Sequence, residues 1–144
     1  MPRALLDTTV LFAAAYRQDE YHDNALPVLY GVDSGALPEA VVLDYVLAET
    51  LNGLTSHAGH KAAVDLLGRI EENAHFHIDS LTTDAFSTGK AHFREHEPLS
   101  FVDACIIAYM QNEGLGYLYA FDDDFDAVED IYRLDTATNP YDPK

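Results

Sequence analysis

The feature that most constrains the fold is an alternation along the chain. Short apolar runs of strand length, "RALLD" (3–7), "EAVVLD" (39–44), "AHFHID" (74–79) and "YLYAF" (117–121), are separated by stretches with helical patterning. The helical stretches read "TTVLFAAAY", "DEYHDNALPVLYGVDSG", "YVLAETLNGLTSH", "HKAAVDLLGRIEEN", "TTDAFSTGKAHFREH" and "SFVDACIIAYMQNE", and "IYRLD" is a short strand at the end. Strands alternating with helices predict an α/β fold with a short, mostly parallel central sheet and helices on both faces. Pro27 is expected to interrupt the second helix, Gly35 to close it, and Asp44 to cap the third. With 144 residues and no repeat or linker, residues 1–144 read as a single domain. In such folds ligands gather at the carboxyl ends of strands, at a topological switch point. Two strands end there in acids: Asp7 closes "RALLD" and Asp122 follows "YLYAF".

Charge narrows the function classes. Eight Lys and Arg oppose 25 acids, a formal net charge of −17, so the basic footprint of a simple nucleic-acid binder is missing. Asp outnumbers Glu 16 to nine and there are three Lys, with acids spread along most of the chain, the pattern of adaptation to high internal salt as in a halophilic archaeon. At molar salt the Debye length falls to about 3 Å, so dispersed surface charge repels little over distance. That adaptation does not account for acids in apolar surroundings. No apolar run approaches the roughly 20 residues that span a bilayer. The start "MPRALLDTTV" lacks the marks of a signal peptide, so a cytoplasmic location is expected. Cys105 is the single cysteine, which excludes an intramolecular disulfide and a thiolate-rich zinc site.

Four acids stand out by context. Asp7 follows Leu5 and Leu6 and is either the N-cap of the helix from Thr8 or a functional group. Glu49 projects from its helix with Tyr45, Asn52 and Ser56, opposite Leu43, Leu47, Leu51 and Leu54; taken alone, that is a solvated face. Asp103 lies on a helix that is apolar almost all round and shares its face with Ile106, Ile107 and Met110. A buried carboxylate there must be paired, protonated or bound to a cation. Ser100 and Asp103 also have capping-box spacing, and both roles can hold together because the cap needs one oxygen. In "FDDDFD", Asp122, Asp124 and Asp126 are spaced two apart as in a calcium hand, but Ala127 stands where that loop needs Gly and Arg133 where it needs Glu. If Asp7, Glu49, Asp103 and Asp122 converge, they make an oxygen-ligand site for Mg²⁺ or Mn²⁺.

Other constellations are weaker. His92 and His96 are four apart on a helix, yet no third ligand is evident and "HFREH" is not the H-E-x-x-H order. His57 with His60 and His75 with His77 read as ordinary surface residues, and Cys105 as a small buried hydrophobe. An aspartyl-nucleophile phosphatase needs D-x-D, which "DTT" lacks, and a receiver-type switch needs a late Lys that is absent.

The ordered segments "LLDTTVL", "LAETLNGL", "LSFVDACIIAYM" and "AFDDDFD" resemble the PIN-domain ribonucleases of the VapC toxin type. The resemblance implies an αβα sandwich and a pocket of acids binding one or two divalent ions, Mg²⁺ or Mn²⁺. It implies metal-dependent hydrolysis of RNA phosphodiesters leaving 5′-phosphate and 3′-hydroxyl ends, a homodimer, and a protein antitoxin that inserts a segment into the active site. By that match Asp7, Glu49, Asp103 and Asp122 fall on the core acidic positions, with Asp124 as an auxiliary metal ligand and Asp123 solvated. Thr8 or Thr9 occupies the hydroxyl position after the first acid. Many relatives carry Thr or Ser where this chain has Ala120, so that hydroxyl is absent here. The alternatives are a non-catalytic PIN-like interaction module and a PIN nuclease of RNA processing.

Overall fold

A computed structural model describes residues 2–142; Met1, Pro143 and the basic Lys144 lie outside the described residues. Five strands form one sheet: β1 (Arg3–Leu6), β2 (Glu39–Leu43), β3 (Phe76–Asp79), β4 (Tyr117–Tyr119) and β5 (Tyr132–Leu134). Six α-helices connect them: α1 (Thr8–Ala15), α2 (His22–Ser34), α3 (Asp44–His57), α4 (His60–Glu72), α5 (Thr83–Glu95) and α6 (Phe101–Glu113). The strand order is β3-β2-β1-β4-β5, and every pairing is parallel, so the sheet is wholly rather than mostly parallel.

The order fixes where a site can form. The chain winds outward from β1 through β2 to β3, then returns across β1 to β4 and β5. Parallel crossovers are right-handed, so reversing direction moves the connecting helices to the other face. Accordingly α1 to α4 pack among themselves, while α5 and α6 form a separate pair. Helices therefore cover both faces, and the winding reverses between β1 and β4, the edge where Asp7 and Asp122 emerge.

Three local expectations are corrected. Helix α2 runs unbroken through Pro27. The carbonyl left without a donor belongs to Asp23 in the first turn, where both residues are exposed to solvent, while Ala25, Val28, Leu29 and Val32 bury the other face. Gly35 closes it in the left-handed conformation, φ 80°. Asp44 is not a cap; it is the first residue of α3, and its Oδ1 accepts the N–H groups of Tyr45 (2.9 Å) and Leu81 (3.0 Å), tying the ends of β2 and β3 together. The buried stripe of α3 is Val46, Thr50 and Leu54, with Leu47 and Leu51 only half-buried. Thr50 is tolerated inside because its hydroxyl donates to the Val46 carbonyl at 2.7 Å.

Helix α6 is the spine of the second face. Asp103 through Met110 are all buried, and Gly89 of α5 lets the two helices approach. A Cβ on Gly89 would sit 2.9 Å from Cys105 Sγ and 3.2 Å from its Cα, and the backbone contact cannot yield without moving α6. Gly89→Ala is therefore expected to lower stability by about 1–3 kcal/mol of overpacking, outweighing a helix-propensity gain of about 1 kcal/mol. A fall in the urea midpoint checks this; an unchanged or raised midpoint contradicts it.

Candidate metal centre

Among the described buried residues only Asp7, Thr50 and Asp103 are polar or charged. Thr50 is satisfied within its helix, which leaves Asp7 (2% exposed) and Asp103 (7% exposed) as the two buried acids. Asp7 leaves β1 with extended backbone and caps α1, while its own N–H donates to the Tyr119 carbonyl of β4 at 3.0 Å. Its Oδ2 accepts the Thr9 hydroxyl at 2.7 Å and the Thr9 N–H at 3.3 Å. The same hydroxyl accepts the Phe121 N–H at 3.1 Å. Thr9 thus bridges the loops leaving β1 and β4 and holds the Asp7 carboxylate between them. The neighbouring Thr8 hydroxyl is buried without a partner.

Asp103 reaches the same edge from α6. Ser100 Oγ accepts the Asp103 N–H at 3.1 Å and Asp103 Oδ2 accepts the Ser100 N–H at 3.4 Å, a reciprocal capping box. Both capping readings from sequence hold, and neither removes the acid from the site. Asp122 follows β4 and caps a 3₁₀ turn, Asp123–Ala127, through Asp124 N–H at 2.9 Å. That turn in place of an open loop agrees with the exclusion of a calcium hand.

The electrostatics join three of the four predicted acids. Burial pushes Asp7 up to about 6, with the charge of Asp122 adding to the rise and the Thr9 bonds opposing it. Burial pushes Asp103 up to about 7, followed by the charge of Asp7 and then that of Asp122. The charges of Asp7 and Asp122 both oppose ionisation of Asp103, so these carboxyls titrate as a coupled set. Among the described residues no salt bridge reaches Asp7, Asp103 or Asp122. Arg133, close in sequence, is committed to Asp126, Asp135 and the Ala120 carbonyl. Glu49 stands exposed on α3 and is not among the main charges acting on Asp7 or Asp103. Asp122, Asp123 and Asp124 bring carboxylate oxygens within 4.8 Å of one another, so Asp123, expected to be solvated, is exposed yet joins that group. Asp124 is pushed up, first by the charge of Asp122.

The donor set fits a hard divalent cation: carboxylate oxygens, no thiolate or imidazole, and an uncompensated negative charge in a buried setting. Beside it lies a pocket of about 380 Å³ lined by Thr8, Thr9, Tyr21, Phe121 and Asp122. Tyr21 stacks on Phe121 with ring centroids 4.7 Å apart and 14° between planes. Sequence reasoning missed this pair because the α1–α2 turn carries Tyr21 to β4 only through tertiary folding. A larger cleft of about 580 Å³ around Asp33, Arg69 and Asn73 contains none of the predicted site acids.

A family model described as the PIN domain matches residues 4–131. The chain belongs to the PIN domain family. This PIN domain is 33% identical over 93 residues to the 23S rRNA-specific endonuclease VapC20 of Mycobacterium tuberculosis, covering 63% of this chain and 70% of that protein. The crystal structure of M. tuberculosis VapC20, described as a sarcin-ricin loop cleaving toxin, superposes with a TM-score of 0.75 and 28% identity over 86% of this chain and 93% of that one. A toxin–antitoxin complex from Klebsiella pneumoniae shares the fold, with a TM-score of 0.61 at 20% identity over 91% of this chain and 99% of the other.

The raised carboxyl values carry a stability consequence. A folded-state value above the unfolded one favours the folded state at low pH and costs stability as pH rises. For Asp103 the loss accrues from about pH 4 to about pH 7 and is complete above. Asp103→Asn keeps a cap acceptor but cannot ionise. It is expected to stabilise the metal-free protein by on the order of a few kcal/mol above pH 7 and by nothing below pH 4. Urea denaturation in chelator at both pH values checks this; equal effects at the two would contradict it.

Proposed function

We propose that this PIN domain is a metal-dependent endoribonuclease and the toxin of a toxin–antitoxin pair. The observation that carries the reading is the pair of buried carboxylates, Asp7 and Asp103, beside Asp122 at the sheet's switch point, with no salt bridge to any of them among the described residues. The likeness to VapC20 supports RNA as substrate and makes a structured ribosomal RNA loop the first candidate. The fold shared with toxins solved in complex with antitoxins supports an antitoxin partner. Homodimerisation rests on the family likeness, a cytoplasmic site of action on the RNA substrate, and adaptation to high salt on the dispersed acid excess.

Asp7 and Asp103 would hold one or two Mg²⁺ or Mn²⁺ ions, with Asp122, Glu49 and Asp124 contributing directly or through water. Held there, such an ion would supply a bound water of lowered pKa and charge neutralisation at the scissile phosphate. The chain's own groups do the positioning. Thr9 fixes the Asp7 carboxylate against the β4 loop, and Ser100 fixes Asp103 against the first turn of α6. The face of Tyr21 offers a stacking surface next to the acids, which matters in a chain with few cations to grip phosphate.

Chelation with EDTA is expected to abolish cleavage of ribosomal RNA, and Mn²⁺ or Mg²⁺ to restore it. Asp7→Asn and Asp103→Asn are expected to fold, by circular dichroism, yet cleave no faster than the metal-stripped protein. Cleavage by either variant at the wild-type rate would contradict the reading. Metal binding without cleavage of any RNA would favour the non-catalytic module.

A further inference from the structure

The two histidines left aside at the end of α5 have the third ligand that the sequence reading did not find. One ring nitrogen of His92, one of His96 and a carboxylate oxygen of Glu95 all lie within 4.8 Å of one another. His92 and Glu95 lie in the last turn of α5, and His96 is the C-cap that follows it with extended backbone, its N–H donating to the His92 carbonyl at 2.9 Å. The His92 and His96 rings are 6.0 Å apart, centroid to centroid.

A second observation concerns His92 itself. Its Nε2 lies 2.7 Å from Gln111 Oε1 on α6. In the tautomer that donates from Nε2 to this amide oxygen, Nδ1 keeps a lone pair. That Nδ1 is buried and has no hydrogen-bond partner, a cost the fold would not carry for nothing. An imidazole whose N–H is held by a neighbouring oxygen while its other nitrogen keeps a lone pair is in the tautomer that a metal-ligating histidine uses.

We propose that His92, Glu95 and His96 bind a borderline transition-metal ion of the Zn²⁺ class. The ligand chemistry separates this site from the carboxylates: imidazole selects Zn²⁺, Cu²⁺ or Ni²⁺, whereas oxygen-only sets suit Mg²⁺ and Mn²⁺. Two neutral imidazoles, one carboxylate and one water complete a tetrahedral ion with a net positive charge, welcome on a chain of charge −17. His96 caps the end of α5, and residues 97–100 lead directly to the capping box that holds Asp103. A bound ion would pin the last turn of α5 and anchor that connector. The inference does not depend on the nuclease reading.

The test is calorimetric titration of Zn²⁺ into the full chain carrying Asp7→Asn, in excess Mg²⁺ to occupy the carboxylates, with Co²⁺ absorption in the visible as a second readout. One equivalent is expected to bind, giving the intense spectrum of tetrahedral cobalt. His96→Gln is expected to weaken it at least tenfold, and Glu95→Gln, on an exposed side chain, is expected to weaken it less. His60→Gln is the unaffected control. Without zinc, Glu95→Gln is expected to melt with its parent, and zinc to raise its melting temperature less than the parent's, separating loss of ligand from loss of fold. The proposal is overturned if the chain binds no Zn²⁺, if His96→Gln binds it as tightly, or if Asp122→Asn rather than His96→Gln removes the ion.

Discussion

Everything at the working edge of this protein depends on two carboxylates buried where the winding of the sheet reverses. Asp7 and Asp103 are almost sealed from water, near Asp122, and unpaired with any cation among the described residues. Burial resists the ionisation of both groups, and their raised values reflect that. A divalent ion reverses the balance, because its charge offsets the desolvation cost that the side chains cannot. The neighbouring architecture serves to hold these oxygens still: the Thr9 bridge between two strand ends, the reciprocal Ser100–Asp103 cap, and the close crossing of α5 over α6 at Gly89.

The site also shows local structure and chemistry sharing the same atoms. Asp7, Asp103 and Asp122 are each the acid of a helix start, at α1, α6 and the 3₁₀ turn. Capping fixes the side-chain torsion and aims the carboxylate along the N-terminal edge of its helix, where backbone N–H groups favour negative charge. Because these helix starts lie at the carboxyl end of the sheet or abut it, orientation by capping becomes convergence. Reading each acid as cap or as ligand sets up a choice that the geometry does not make.

Much of this was legible in the residues. The five strands and six helices follow from the alternation of apolar runs, and burial of Asp103 from a helix apolar nearly all round. The parts that were not legible depend on tertiary contacts. Pro27 stays inside α2 because its lost hydrogen bond falls on an exposed first turn. Asp44 joins two strand ends through Leu81, 37 positions away, which no local pattern encodes. Thr50 replaces the leucines at the centre of the α3 stripe because its hydroxyl is satisfied by its own helix. Glu49 was grouped with the acids by its place on a helix flanking the sheet and by family likeness, yet its own face reads as solvated and it stands exposed. The Tyr21–Phe121 stack lies 100 residues apart in the chain and has no signature in either segment.

The most direct measurement is anomalous scattering from crystals of the protein soaked in Mn²⁺. The expected result is a peak at the carboxyl edge of β1 and β4, with oxygens of both Asp7 and Asp103 at about 2.1–2.2 Å, typical of a hard divalent ion. A peak confined to the Asp122–Asp124 group, with Asp7 and Asp103 free of metal, would contradict the claim that the buried pair holds a cation.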